Sequence, residues 1–223
     1  MTVAILIPTL GRADVLAPLV ESFRVTTPPD FYRLYFVVDR DDAATHQSLA
    51  EFEGDPDVQV DVCDGTYPVK IYAGCWLSAG EDLVLPTADD IVPHLGWYEA
   101  ALKHFEAGAD VVGTNDLSPA TREGRMVTMP IVRRSYTEDP GAAWDEHRSV
   151  FHRGYHHNFV DRELWELACH RGVAVFEPES VIEHRHHGWG TREADETDAK
   201  GNQQGWEQDK ALFEKRKAQW LAS

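Results

Sequence analysis

The sequence lacks the features that mark membrane, secreted and zinc-binding proteins. No apolar run approaches the roughly 20 residues that cross a bilayer, and the first apolar run, residues 3–7, has no basic segment before it as a signal peptide would. The cysteines are odd in number and far apart, which fits neither a disulfide framework nor a zinc knuckle. We therefore expect a protein of a reducing cytoplasm that has no membrane contact.

Basic residues are scarce in the first half of the chain. Residues 1–121 hold 6 Lys/Arg against 20 Asp/Glu, whereas residues 122–192 hold 10 arginines, no lysine and 8 of the 11 histidines. A uniformly acidic protein would repel nucleic acid, but the charge of this chain is uneven. The arginines are either solvated surface side chains or a surface for an anionic ligand, since the planar guanidinium suits phosphate.

Apolar runs alternate with helical patterns through the first 113 residues. Apolar stretches predict buried strands near residues 3–7, 34–38 and 82–87, and a short strand near 110–113. The alternating segment 58–62 predicts a further strand, and helices are expected between the strands. This order predicts an α/β fold with a mostly parallel central sheet and helices on both faces. Such sheets bind ligands beyond the carboxyl ends of their strands, where polar residues 9–12, 39–42 and 88–90 should converge.

The second half is less regular. A strand is expected near residues 127–134, a helix at 161–170, two strands at 173–176 and 181–186, and a charged helix at 204–221. Residues 188–203 are polar and punctuated by glycine, and are expected to be mobile. No linker or repeat divides the chain, so we expect one domain over residues 1–223.

Two adjacent carboxylates, Asp89 and Asp90, end the apolar run of residues 82–87. Like charges at the end of a buried strand need compensation. One interpretation is a helix cap before Pro93. The other is a divalent metal site, because Mg²⁺ or Mn²⁺ is held by one or two carboxylates together with ligand phosphates.

The order of these motifs resembles GT-A glycosyltransferases, in particular the inverting family 2, over about residues 3 to 190. The motifs are PTLGR after the first strand, VVDRDD after the second, and GEDLVLPTADDIVP with Trp97 behind it. Thr87 stands where the first carboxylate of the family's Asp-x-Asp motif would often be. The resemblance implies a GT-A fold with a nucleotide-binding half (1–121), an acceptor and catalytic half (122–192), and a loop with a terminal helix (193–223).

The resemblance also implies roles for single residues. Those expected to bind the nucleotide-diphospho-sugar donor are Pro8, Thr9, Arg12, Asp39, Ala88, Asp89 and Asp90. Asp89 is expected to be the main ligand of Mn²⁺ or Mg²⁺, and His184 and His186 to complete the metal–diphosphate site. Asp161 is expected to be the general base, with Glu163 as the second candidate. Trp189 and the segment after it are expected to cover the donor.

Each role has a simpler alternative. Asp39 and Asp161 sit where they could cap a strand end and a helix, and the histidines could be surface residues in a loop. His184 and His186 do fall on one side of an extended chain, where neutral imidazoles bind metal.

Several functions compete with a metal-dependent inverting glycosyltransferase. The acceptor is open between a saccharide, a small molecule, a protein and hydroxymethylated bases of phage DNA. The chain resembles compact bacterial and phage-type enzymes, some of which modify such bases. A sugar-phosphate nucleotidyltransferase would have more glycine in its first loop, and a methyltransferase would have Gly-x-Gly after the first strand. A non-catalytic nucleotide- or metal-binding module is the remaining alternative.

Overall fold

A computed structural model describes residues 1–122, 126–138, 141–194 and 205–223. Its strands are β1 Val3–Thr9, β2 Tyr32–Val38, β3 Val58–Val62, β4 Leu83–Pro86, β5 Ile91–Pro93, β6 Val111–Asn115, β7 Pro130–Arg133 and β8 Ala174–His184. Its α-helices are α1 Ala13–Thr26, α2 Ala43–Leu49, α3 Tyr67–Leu77, α4 Trp97–Glu106, α5 Pro119–Arg122, α6 Arg134–Glu138, α7 Val160–His170 and α8 Trp206–Trp220. Short 3₁₀ helices follow at Ala50–Phe52 and His187–Trp189.

All eight strands join one sheet in the order β3-β2-β1-β4-β7-β6-β8-β5. The pairs β3–β2, β2–β1, β1–β4 and β6–β8 are parallel, and β7 and β5 pair antiparallel with their neighbours. The expected α/β class with a mostly parallel sheet is confirmed. Strands from residues 1–121 and from residues 122–192 thus share one sheet.

The central strands are buried on both faces because their residues alternate between two cores. Val3, Ile5 and Ile7 of β1 pack with α1 and α4, whereas Ala4 and Leu6 pack with α3 and α7. Each strand therefore needs a continuous apolar run, which is why these strands were predicted from the sequence. No helix in the described part of the chain is long and apolar enough to cross a membrane.

The last strand differs from its prediction. The two strands expected at 173–176 and 181–186 are one strand, β8, which runs through the polar segment 177–180. The pairing with β6 is irregular there, since Gly113 pairs with Phe176 whereas Asn115 pairs with Val181. The mobile segment predicted at 188–203 lies mostly outside the described residues.

Candidate functional site

The carboxyl ends of β1, β2 and β4 converge, as their polar residues predicted. Gly11 donates its backbone N–H to Asp42 at 2.7 Å, and Asp42 also caps α2 by accepting from Thr45 N at 3.2 Å. Asp42 is partly buried because it ties the loop after β1 to the loop after β2.

Asp89 is buried at this edge of the sheet and accepts hydrogen bonds from two residues of the loop after β1. Thr9 Oγ1 donates to its Oδ2 at 2.8 Å, and Arg12 donates to its Oδ1 at 2.8 Å. The same guanidinium nitrogen of Arg12 lies 3.4 Å from Asp90 Oδ2, so Arg12 bridges the two carboxylates. Burial raises the pKa of Asp89, although the charge of Arg12 opposes the shift.

Asp90 lies beside His184 because β5, which follows Asp90 directly, pairs with the end of β8. Ile91 of β5 pairs with His184 at the end of β8, and Arg185 donates its backbone N–H to Asp90 O at 2.8 Å. This register places Nε2 of His184 3.1 Å from Oδ1 of Asp90. Asp90 therefore does not cap α4, which begins after Gly96 in a left-handed conformation with φ 84°.

Asp90 is charged despite its burial. Burial alone would raise the pKa of Asp90, but the adjacent His184 ring, with Arg12 and Arg192, lowers that pKa to about 2. Arg192 lies 3.1 Å from Oδ2 of Asp90. His186 is 5.2 Å from His184 between ring centroids, and both rings pack on Trp189.

Asp39 pairs with a buried lysine that the sequence analysis did not identify. Lys70 of α3 is 4% exposed, donates to the Asp39 carboxylate, and lies 3.4 Å from Thr9 O. The signal was one basic residue on an otherwise apolar helix face. Pro8 pairs with Val37 of β2, and Thr9, the last residue of the same parallel pairing, lies beside Val38.

Asp161 lies in the first turn of α7 but is not its cap. The cap position is Phe159, and Oδ1 of Asp161 accepts from Arg162 N at 2.8 Å. Asp161 as a whole residue is half-buried, but protein atoms enclose its carboxyl group. This burial raises the pKa of Asp161 to about 6. The nearby charge of His184 opposes this rise and that of Asp116 adds to it.

Tyr67 lies close to both Asp90 and Asp161. Its hydroxyl donates to Thr87 O at 3.3 Å and its ring lies 5.3 Å from the His157 ring. Burial raises the pKa of the Tyr67 hydroxyl, and the charges of Asp161 and Asp90 raise it further. Asp161 and Asp90 therefore both lie close enough to Tyr67 for their charges to act on its hydroxyl.

Glu163, in contrast, is enclosed in a buried ion pair. Arg216 of α8 donates to Oε1 at 2.8 Å and to Oε2 at 2.9 Å, and the Tyr155 hydroxyl also donates to Oε2. Thr87 likewise turns inward, because its Oγ1 lies 3.2 Å from the sulfur of Met129. A carboxylate at position 87 would be buried against a thioether.

Many arginines of residues 122–192 bind backbone carbonyls or carboxylates of the protein itself. Arg134 donates to the last carbonyls of α3 at Cys75 and Ser78, Arg133 donates to Phe105 O and Ala109 O, and Arg171 donates to Gly141 O. Others pair with carboxylates, namely Arg148 with Glu138, Arg153 with Glu146, and Arg162 with Glu166.

Comparisons with known proteins give structural matches only. No protein-family model matches the sequence, and no curated protein is detectably similar to it in sequence. The fold resembles the mannosyltransferase PcManGT from Pyrobaculum calidifontis, solved with GDP-Man and Mn²⁺, with 14% identity and a TM-score of 0.64 over 82% of this chain and 56% of that protein. It also resembles residues 1–349 of TarS from S. aureus, solved with UDP, with 14% identity and a TM-score of 0.64 over 82% of this chain and 59% of that one.

The chain thus spans a little more than half the length of these two structures. At this level of identity the likeness concerns the fold alone. It confirms the fold that the order of motifs predicted: the chain has the GT-A fold of these glycosyltransferases.

Proposed function

We propose that the protein transfers a sugar from a nucleotide-diphospho-sugar to an acceptor hydroxyl, with inversion at the anomeric carbon. The observation that carries this proposal is the pair of carboxylates near Tyr67, Asp161 and Asp90, which differ in environment. The pKa of Asp161 is raised to about 6, whereas the pKa of Asp90 is lowered to about 2. A carboxylate with a raised pKa suits a general base, and one that stays charged suits a cation.

Asp161 is the general base in this proposal. Its carboxylate takes the proton from the acceptor hydroxyl as that oxygen attacks the anomeric carbon, while the bond from that carbon to the diphosphate oxygen breaks. A base works best when its pKa lies near the working pH, which the burial of Asp161 favours. Glu163 is left a structural role, because both of its oxygens are bound by Arg216.

A divalent cation fits beside Asp90 and His184. Among the described residues no three ligand-type side chains form a metal centre by themselves. Oδ1 of Asp90 is buried without an aligned hydrogen bond, and it lies 3.1 Å from Nε2 of His184. Two ligands at right angles on one Mg²⁺ or Mn²⁺ are about 3 Å apart, and such ions take their other ligands from phosphate and water.

We therefore assign the ion to Asp90 and His184, with Asp89 and His186 beside them, whereas the family resemblance implied Asp89 as the main ligand. Both oxygens of Asp89 accept hydrogen bonds, from Thr9 and Arg12, whereas Oδ1 of Asp90 accepts none within the described part of the chain. When bound, the ion would offset the charge that develops on the departing diphosphate. Arg192 lies on the same carboxylate and is placed to meet the diphosphate as well.

The donor nucleotide is proposed to lie along Pro8, Thr9, Arg12, Asp39 and Ala88, at the carboxyl ends of β1, β2 and β4. Asp39 offers an acceptor for the N–H edge of a uracil or guanine base. Lys70, bound to the same carboxylate, offers a donor for a base carbonyl.

A thermal-shift panel of UDP, GDP, dTDP and CDP sugars, with and without Mn²⁺, tests the donor site. We expect one donor to raise the melting temperature, and more so with Mn²⁺, because only the native state binds it. Asp90→Asn should remove the increment due to Mn²⁺. Asp41→Asn, an exposed carboxylate of the neighbouring loop, should retain it. A Mn²⁺ increment that survives in Asp90→Asn would contradict the assignment.

The acceptor is proposed to be a saccharide or small molecule rather than DNA. The arginines that made DNA a candidate are largely bound to carbonyls and carboxylates of the protein itself. We expect weak binding to duplex DNA, with a shallow dependence on salt, measured by fluorescence anisotropy between 50 and 200 mM salt. A fall of about 10³-fold over that range would indicate many phosphate contacts and favour the DNA alternative.

A further inference from the structure

Asp209 is a buried carboxylate on a helix that is otherwise rich in exposed charge. It lies in the first turn of α8 and is 1% exposed. Its Oδ1 accepts from His156 N at 2.8 Å, and its Oδ2 accepts from His157 N at 3.0 Å and Asn158 N at 2.9 Å. Three successive backbone N–H groups that converge on one carboxylate form an anion-binding nest.

The charge of Asp209 is stabilised by this nest. Burial alone would raise the pKa of Asp209, but the three N–H donors, together with the His156 ring 3.1 Å away, lower it. The loop and the helix are thus joined by a charged group with full hydrogen bonding, which is stronger than a neutral contact.

The clamped loop leads directly into the candidate site. His157 packs against Tyr67, and Asp161 follows the loop by three residues. Between them, Phe159 has a left-handed backbone with φ 67°. A non-glycine residue in this region costs about 1–2 kcal/mol and needs its surroundings to hold it there.

Helix α8 supplies those surroundings. The Phe159 ring lies 4.8 Å from Trp206 and 5.5 Å from Phe213, both on α8. Gly205, just before α8, has φ 93°, and a Cβ there would meet the His156 ring at 2.7 Å. Close approach of helix and loop therefore depends on the absence of a side chain at position 205.

We infer that Asp209 is a positioning residue, which holds residues 156–158 so that Asp161 and His157 face the reacting groups. The inference rests on the proposed function, which makes Asp161 the base. Helix α8 then supports the segment that carries the base, although Asp209 lies 48 residues beyond Asp161 in sequence.

Asp209→Asn tests this inference, since an amide NH₂ cannot accept from a backbone N–H. We expect kcat for sugar transfer to fall by about 10- to 100-fold, because small displacements of a catalytic group are costly. KM for the donor and the thermal shift caused by the donor should not change, since Asp209 binds residues 156–158, none of which is assigned to the donor. Amide hydrogen exchange at 156–158 should rise at least tenfold.

Two matched controls separate positioning from stability. Glu207→Gln removes the same charge from the same turn at an exposed position and should behave as the wild type. Lys217→Met breaks a different contact between α8 and α7, the ion pair with Glu166, and should lower the melting temperature while kcat is kept. If Lys217→Met, at an equal loss of stability, also lost kcat, or if Asp209→Asn retained kcat, the positioning role would be refuted.

Gly205→Ala displaces the same loop without changing its charge, and it replaces Asp209→Asn if that variant does not fold. It should give the same loss of kcat with unchanged donor binding, and an unchanged kcat would refute the inference. If the wild type transferred no sugar from any donor, the proposed function would fail. Hydrogen exchange at 156–158 would still decide whether Asp209 holds the loop.

Discussion

Asp161→Asn should lower kcat for sugar transfer by about 10²–10⁴-fold, the usual contribution of a general base. The amide has nearly the shape of the carboxyl group and can still accept from Arg162 N, the hydrogen bond that Oδ1 makes at 2.8 Å. It cannot take a proton from the acceptor. Donor binding, measured by thermal shift, should be retained, because Asp161 is not among the residues assigned to the donor.

The same substitution should stabilise the protein at neutral pH. Burial raises the pKa of Asp161 to about 6 in the folded state, against 3.8 for an unperturbed aspartate. Above pH 6 the folded state therefore carries a charge that it disfavours relative to the unfolded state. At about 1.4 kcal/mol per pKa unit, reduced for partial exposure, the penalty is about 1–3 kcal/mol.

That penalty falls as the pH drops below 6 and disappears near pH 3, where both states hold the proton. Asp161→Asn should thus unfold at higher denaturant concentration than the wild type at pH 8, and at an equal concentration near pH 3. Asp14→Asn is the matched control, since Asp14 also lies in the first turn of a helix but is exposed. It should keep its activity and gain no stability.

The wild-type pH profile supplies an independent check on Asp161. The rate of transfer should rise with pH through about 6, because the base works only when deprotonated. His184, Asp116 and Tyr67 face Asp161 from the surrounding elements, and of these His184 lowers the pKa and Asp116 raises it. An acid limb near pH 4, or wild-type rates in Asp161→Asn, would exclude Asp161 as the base.

Local sequence patterns predicted those parts of the fold that depend on burial. Strands β1, β2 and β4 are buried on both faces, so each contains a continuous apolar run. Such a run can be recognised in the sequence without knowing which strands pair with it. Strand β5 is three residues long and was not predicted, because so short a segment has no periodicity. Yet β5 determines the site, since its register with β8 brings Asp90 to His184.

Partners that are distant in sequence account for the rest. Lys70, Asp209 and Arg216 are ordinary charged residues in the sequence, and their significance depends on what the fold places beside them. The pairs Lys70–Asp39, Asp209–His156 and Arg216–Glu163 span 31, 53 and 53 residues. No local pattern specifies a contact at that separation, whereas burial specifies strands locally. This is why Glu163, two residues from Asp161, remained a second candidate for the base on the sequence alone.

Arg216→Met should destabilise the fold by about 3–5 kcal/mol, the cost of leaving a buried carboxylate without its partner. Arg216 is 2% exposed and binds Glu163, Asp145 at 2.8 Å and the carbonyl of Ala143 at 3.2 Å. The free energy of unfolding from denaturant titration measures the loss.

Arg216→Met combined with Glu163→Leu should recover most of this loss of stability, since replacing both charges by apolar groups removes the unpaired carboxylate as well. If Glu163 were the base, the double variant would lose transfer even at full stability. Retained transfer in the refolded double variant would confine Glu163 to a structural role, and a single-variant loss below about 1 kcal/mol would show that the pair does not hold α8 on α7.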